Sequence, residues 1–182
     1  MKFEFNRKEY ERKFLTPGGY IGKIKNVSVE GEKISVIFDI AEGEFKDIYT
    51  KEYQKNGGGT SFDITKWNKR GIVNFDFQYA GAKYAFAQLL NDLETSNQSF
   101  KWQDETNDLK NKLIGVIYRK NTYEDKFGDT KVGTDFPVFT STKVIADNAF
   151  SIEEKQSKNK TSTETPTDSK SEFDISLDDI QF

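Results

Sequence analysis

Lys33-Ile34-Ser35-Val36-Ile37-Phe38-Asp39-Ile40 is the stretch that decides the fold class. Ile34, Val36, Phe38 and Ile40 recur at every second position, so they share one face of an extended chain. The segment predicts a half-buried β-strand. Residues 20–29 alternate in the same way, with Tyr20, Gly22 and Ile24 opposed to Ile21, Lys23 and Lys25. Glu30-Gly31-Glu32 separates the two as a turn. Glu42-Gly43-Glu44 marks a second turn, and residues 45–53 are expected to add a third strand, completing an antiparallel meander.

Past the meander, Gly57-Gly58-Gly59 reads as a loop. No Lys-Ser/Thr pair or helix start follows it, so it is not a phosphate-binding loop. Ala82, Ala85, Phe86, Leu89, Leu90 and Leu93 then recur at spacings of three and four, which predicts an amphipathic packing helix over residues 81–95 closed by Ser96-Asn97. Residues 113–123 read as a strand, and 125–129 as a turn around Gly128. Residues 130–145 read as one or two strands broken near Pro137, since proline cannot donate to a ladder. The expected fold is mainly β: a five-stranded antiparallel barrel of the OB type, with one helix between strands 3 and 4.

Composition narrows the function classes. The chain has 182 residues, enough for one domain with extensions. Its 16 Phe, 8 Tyr and 2 Trp lie mostly before residue 151 and supply bulk for a core. No run approaches the roughly 18 apolar residues of a membrane span, and the charged N-terminus lacks the apolar segment of a signal peptide, so a cytoplasmic protein is expected. There is no Cys and no His. That removes disulfides, thiolate metal sites and the commonest general base and metal ligand. No cofactor or metal is expected. Asp39, Asp63, Asp76 and Glu94 are scattered and show no metal-nuclease spacing. A binding protein rather than an enzyme is expected.

The charge is unevenly divided. Overall there are 27 basic and 30 acidic residues; beyond residue 150 there are 4 and 8, which leaves 23 and 22 for the body. The body is therefore +1 and the tail −4. Residues 1–150 form the expected domain. Residues 151–182 form an expected disordered tail, because 151–170 are polar with Ile152 as the one apolar side chain. The tail ends Glu172-Phe173-Asp174-Ile175-Ser176-Leu177-Asp178-Asp179-Ile180-Gln181-Phe182. Asp174, Asp178, Asp179, Ile180 and Phe182 would make a docking tip, with the terminal ring entering an apolar pocket and the anions meeting a basic rim.

That tip resembles the ending of bacterial single-stranded DNA-binding proteins, with Gln181 where the family usually has Pro. The body resembles a family of OB-fold single-stranded DNA-binding proteins of phages and mobile elements of Gram-positive bacteria. The resemblance is carried by Gly18-Gly19-Tyr20, by Leu93-Glu94-Thr95-Ser96-Asn97, by residues 109–115, and by Val116-Ile117-Tyr118-Arg119 followed by Tyr123. It covers roughly residues 16–147 and departs at Asn111, Lys120 and Asn121, where the family often has Gly and acids. It implies sequence-independent binding of single strands in DNA replication or recombination, with the tip recruiting replication or recombination proteins. The alternative is a recombination mediator or a protein-interaction adaptor built on the same barrel.

Single-strand binding without sequence choice needs cations for phosphates and rings for bases. Three places interleave them. On the expected third strand, Tyr49, Lys51, Tyr53 and Lys55 share one face. That face is either a stacking surface or a solvated barrel exterior. Trp67 lies between Lys66 and Lys69-Arg70, either exposed for stacking and cation–π contact or capping the barrel end. Tyr118, Arg119, Lys120, Tyr123, Lys126, Phe127 and Lys131 belong to a hairpin arm, in which Tyr118 is either a core ring or a contact and Lys126-Phe127 at the turn is the better candidate. Lys23 and Lys25 of the first strand would line the same groove. The modest body charge suggests that several subunits act together, so a homo-oligomer is expected.

Overall fold

A computed structural model of the protein describes residues 14–154. The tail tip, with Asp174, Asp178, Asp179, Ile180 and Phe182, lies outside the described residues.

Among the described residues, seven strands form a five-stranded and a two-stranded antiparallel sheet. Strand β1 spans Gly18–Glu30 and β2 spans Lys33–Ile40. They pair from Gly22↔Ile40 to Glu30↔Lys33 around Gly31, whose φ of 59° suits glycine in a tight turn. A register shift between Ile24 and Asn26 bulges β1 at Lys25 and bends the sheet. Helix α1 spans Ile48–Lys55, β3 Ile72–Asp76, helix α2 Ala80–Ser96 and β4 Leu113–Tyr118. Strands β5, Lys120–Glu124, and β6, Thr130–Thr134, make the separate hairpin. Strand β7, Val138–Thr140, and helix α3, Thr142–Ala146, follow. The large sheet has the order β3-β2-β1-β4-β7, an OB-like half-barrel, with α2 between β3 and β4 in the chain.

The alternation of β2 locates the core, but the strand is more buried than its pattern suggests. Every residue from Ile34 to Ile40 is buried, including Ser35 and Asp39. Ile24 and Phe38 face each other across β1 and β2, and Gly22 lets the Val116 and Phe38 side chains close over it. Helix α2 lays Ala82, Phe86, Leu89 and Leu93 into this core, with Phe86 edge-on to Phe75 and Phe77. Its end is closed where predicted: the Ser96 hydroxyl donates to the Asp92 carbonyl and Asn97 N–H to Leu93. Helix α3 packs over Gly115, where the Ile145 side chain and the Ser141 carbonyl take the space a Cβ would need.

Three sequence expectations are corrected. The third strand is residues 72–76, not 45–53. Residues 48–55 are helical because Asp39, fully buried at the end of β2, accepts N–H bonds from Ile40 at 2.8 Å, Tyr49 at 3.0 Å and Thr50 at 2.8 Å. The carboxylate satisfies helix-start donors that would otherwise be orphaned, and its charge suits that terminus. Tyr49 and Tyr53, four apart, then fall on one helical face and enter the core. The stretch read as one strand over 113–123 breaks at Arg119, and its halves lie in different sheets. Finally, Thr142–Ala146 is a helix rather than part of a strand, with the Ser141 hydroxyl accepting from Val144 N–H at its start.

Candidate nucleic-acid interface

The three interleaved clusters meet different fates. The first is dismantled. Tyr49 and Tyr53 are core residues, while Lys51 and Lys55 point to solvent from α1, so no Tyr-Lys-Tyr-Lys face exists. Lys51 donates to the Lys46 carbonyl at 2.8 Å.

Trp67 is 6% exposed and is a capping ring, not a stacking one. Its ring lies 5.5 Å from Tyr53 and 5.6 Å from Phe62, and Phe62 stacks on Tyr53 at 5.6 Å. Gly58 and Gly71 leave room for Tyr53 and Trp67 respectively, since a Cβ at either would overlap a ring. The cations around Trp67 are nevertheless displayed. Residues 48–71, from the start of α1 to the start of β3, carry Lys51, Lys55, Lys66, Lys69 and Arg70 against Glu52 and Asp63, a net +3. Both acids are engaged: Glu52 accepts from Asn68 at 2.6 Å, and Asp63 accepts from Thr65 N–H at 3.0 Å. The Thr65 bonds hold the Asp63 carboxyl below its ordinary pKa.

The third cluster is the β5–β6 hairpin, which projects as an arm. Tyr123 is 52% exposed and Phe127, at the tip, is 79% exposed. Tyr123 pairs with Lys131, and the neighbouring Gly133 offers a bare backbone against which one edge of the ring rests. A Cβ at Gly133 would come 3.2 Å from that ring. At the tip, Asp125 accepts N–H bonds from Phe127 and Asp129, and Gly128 takes φ 83°. Lys126 Nζ stands 4.9 Å from the Phe127 ring centroid. The arm is electrically balanced: residues 119–135 contain Arg119, Lys120, Lys126 and Lys131 against Glu124, Asp125, Asp129 and Asp135. Lys131 lies within 3.7 Å of both Asp125 and Asp129.

Arg70 joins the second and third clusters. Its guanidinium donates to the Thr134 carbonyl and hydroxyl and, at 2.9 Å, to the Asp135 carbonyl. Its own carbonyl accepts from the Tyr118 hydroxyl at 2.8 Å, and the Tyr118 oxygen lies 2.7 Å from the Tyr49 hydroxyl. The Arg70 charge is thus used to fix the arm's base beside the cationic stretch. Arg119 contributes its carbonyl to the same base, accepting from Asp135 N–H at 2.9 Å.

Lys69 is exposed beside Arg70 in the chain. Lys23 lies half-buried on β1 opposite Asp39 in register, and Lys25 is 3.4 Å from Asp47. Of the exposed rings outside the sequence candidates, Phe14, Phe62, Tyr79, Tyr84 and Phe136, two adjoin these clusters. Phe136, 67% exposed, follows Asp135 directly, and Phe62 edges the Trp67 cluster. Pro137 was the available signal for Phe136, because it holds that residue outside the flanking strands.

Among the described residues no helix is long and apolar enough to cross a membrane. Searches against models of known protein families and against curated proteins find no match to this chain.

Proposed function

We propose that this protein binds single-stranded DNA without sequence choice, using the cationic stretch 48–71 and the β5–β6 arm as one surface. The supporting observation is the Arg70 junction, which sets an exposed run of lysines beside a projecting arm with open rings. Tyr123, Phe127 and Phe136 supply faces on which bases stack, and Lys51, Lys55, Lys66 and Lys69 supply phosphate contacts. The tip at residues 172–182 recruits replication or recombination proteins of a phage or mobile element, and the domain takes no part in catalysis.

Fluorescence anisotropy of labelled oligo-dT, with duplex and oligo-rU controls at several salt concentrations, tests this. Tight binding to oligo-dT that weakens linearly in log salt is expected. Absence of salt-sensitive binding to single strands sinks it.

A second reading, a protein-interaction adaptor, draws on the arm's balanced charge and on the exposed side chains of Val132 on β6 and of Phe136 and Val138 beyond it. Loss of partner capture on removing residues 172–182, with no DNA affinity in the intact chain, selects that reading.

A further inference from the structure

The last described residues do not leave the body freely. The Phe150 ring lies on the bare backbone of Gly19, where a Cβ would come within 2.5 Å of it. The Ile152 carbonyl accepts from Lys120 N–H at 2.7 Å. Glu153 then reaches Lys120 Nζ at 3.2 Å, and the Glu154 carboxylate accepts from Thr122 N–H at 3.4 Å. Residues 150–154 thus form a strap beside β5 that runs toward the arm's tip.

The strap has a firm part and a loose part. Phe150 and Ile152 are half-buried, and the Ile152 bond is a backbone bond of ordinary length. The carboxylates are weakly held: the Glu153 side chain is 73% exposed, its Lys120 partner is 41% exposed, and the Glu154 bond is long. Exposed pairs of this kind contribute little to stability, so a competing anion displaces them at small cost. The place they fill suits an anion. Strand β5 pairs with β6 on one side, and N–H groups two residues apart point to the same edge, so Lys120 and Thr122 both donate to the side that β6 leaves open. There a lysine ammonium and a main-chain N–H each meet a carboxylate oxygen, and both are donor types that hold backbone phosphates. Tyr123, one of the open rings of the arm, follows Thr122 directly.

We infer that Lys120 Nζ and Thr122 N–H form a backbone-phosphate site of the single-strand surface, which Glu153 and Glu154 fill in the free protein and yield to nucleic acid. The strap is then a built-in competitor: Phe150 and Ile152 keep the two carboxylates at the arm's root, and a bound strand replaces them. This rests on the proposed single-strand binding.

The test uses the full chain and oligo-dT, measuring affinity from low to moderate salt. Glu153→Gln/Glu154→Gln leaves the Phe150 and Ile152 contacts in place and should bind roughly 5-fold tighter at low salt. A strand that meets an unpaired Lys120 releases a counterion that is absent while Glu153 holds the ammonium, so the variant's salt slope should be steeper by about 0.7. A control, Glu30→Gln/Glu105→Gln, removes the same charge at two exposed acids outside the arm and strap and should keep the wild-type slope. In a Lys120→Gln background most of the gain from the two glutamate changes should vanish. A variant no tighter than wild type, an equal gain in the control, or a gain undiminished by Lys120→Gln overturns the inference while leaving single-strand binding standing. If neither wild type nor variant binds single strands, the inference falls with the reading beneath it.

Discussion

The Tyr49 and Tyr118 hydroxyls meet at 2.7 Å in the core, one from α1 and one from the last residue of β4. Tyr118 gives its proton to the Arg70 carbonyl at 2.8 Å, so Tyr49 is the donor to Tyr118. One chain of hydrogen bonds thus ties helix, barrel and the base of the arm. The two hydroxyls are unequal in consequence. Tyr118→Phe leaves both the Tyr49 hydroxyl and the Arg70 carbonyl without a partner and should cost about 1–3 kcal/mol. Tyr49→Phe removes one donor and leaves the Arg70 bond intact, at about 0.5–1.5 kcal/mol. Urea unfolding of both variants checks the order; equal losses would mean that the chain of bonds is not formed.

The same pair sets an alkaline limit. Burial raises the pKa of Tyr49 and of Tyr118 above the ordinary value of 10.0. For a group whose folded pKa is raised, the neutral form is favoured in the fold. Stability is then full below the unfolded value and is lost as pH rises past it. Unfolding free energy should therefore fall above about pH 10, by about 1.4 kcal/mol per pH unit for each tyrosine. Unfolding curves between pH 8 and 11.5 should be steeper in that range for wild type than for Tyr49→Phe.

Asp39 is the hinge between strand and helix. Asp39→Ala orphans three buried or part-buried N–H groups and should cost about 3 kcal/mol or more, since each bond to a charged group is worth about 1.5–3 kcal/mol. Asp39→Asn keeps an acceptor and should cost less. Thermal unfolding followed by far-ultraviolet circular dichroism measures both. Equal, small losses would show that α1 does not depend on this carboxylate.

Arg70 should be replaceable neither by Met nor by Lys. Met loses all three acceptors, and Lys offers a point charge in place of a planar fork. Either change should raise amide exchange across residues 120–134 well above wild type while that of β1 and β2 stays slow. Unchanged exchange in the arm would show that it is held by other contacts.

The exposed and the buried rings should separate cleanly. Tyr123→Ala and Phe127→Ala should each weaken oligo-dT binding by about 1–3 kcal/mol without altering unfolding. Trp67→Phe should do the reverse, and Trp67 emission should be blue-shifted and unmoved by oligo-dT. Strong quenching of Trp67 by DNA would contradict its capping position.

The sequence by itself determined the strands β1 and β2, the turn at Gly31, helix α2 and the hairpin turn at Gly128. Each is written in local chemistry: alternation, a 3.6-residue stripe, or a glycine where φ is positive. The Tyr49-Lys51-Tyr53-Lys55 stretch was different. Aromatics four apart satisfy both period 2 and the helical i, i+4 spacing, so no local signal separates strand from helix there. Asp39, ten residues upstream of Tyr49, decided it by capping the helix, and that contact exists only once β2 is in place. The burial of Trp67 has the same origin, since flanking lysines leave a ring free to cap or to stack, and Tyr53 and Phe62 close around it. Only the tertiary structure, through the Arg70 bonds to Thr134 and Asp135, brought two distant clusters to one surface. Periodicity reports which side of an element is apolar; which element lies against that side is fixed by long-range packing and buried polar pairing.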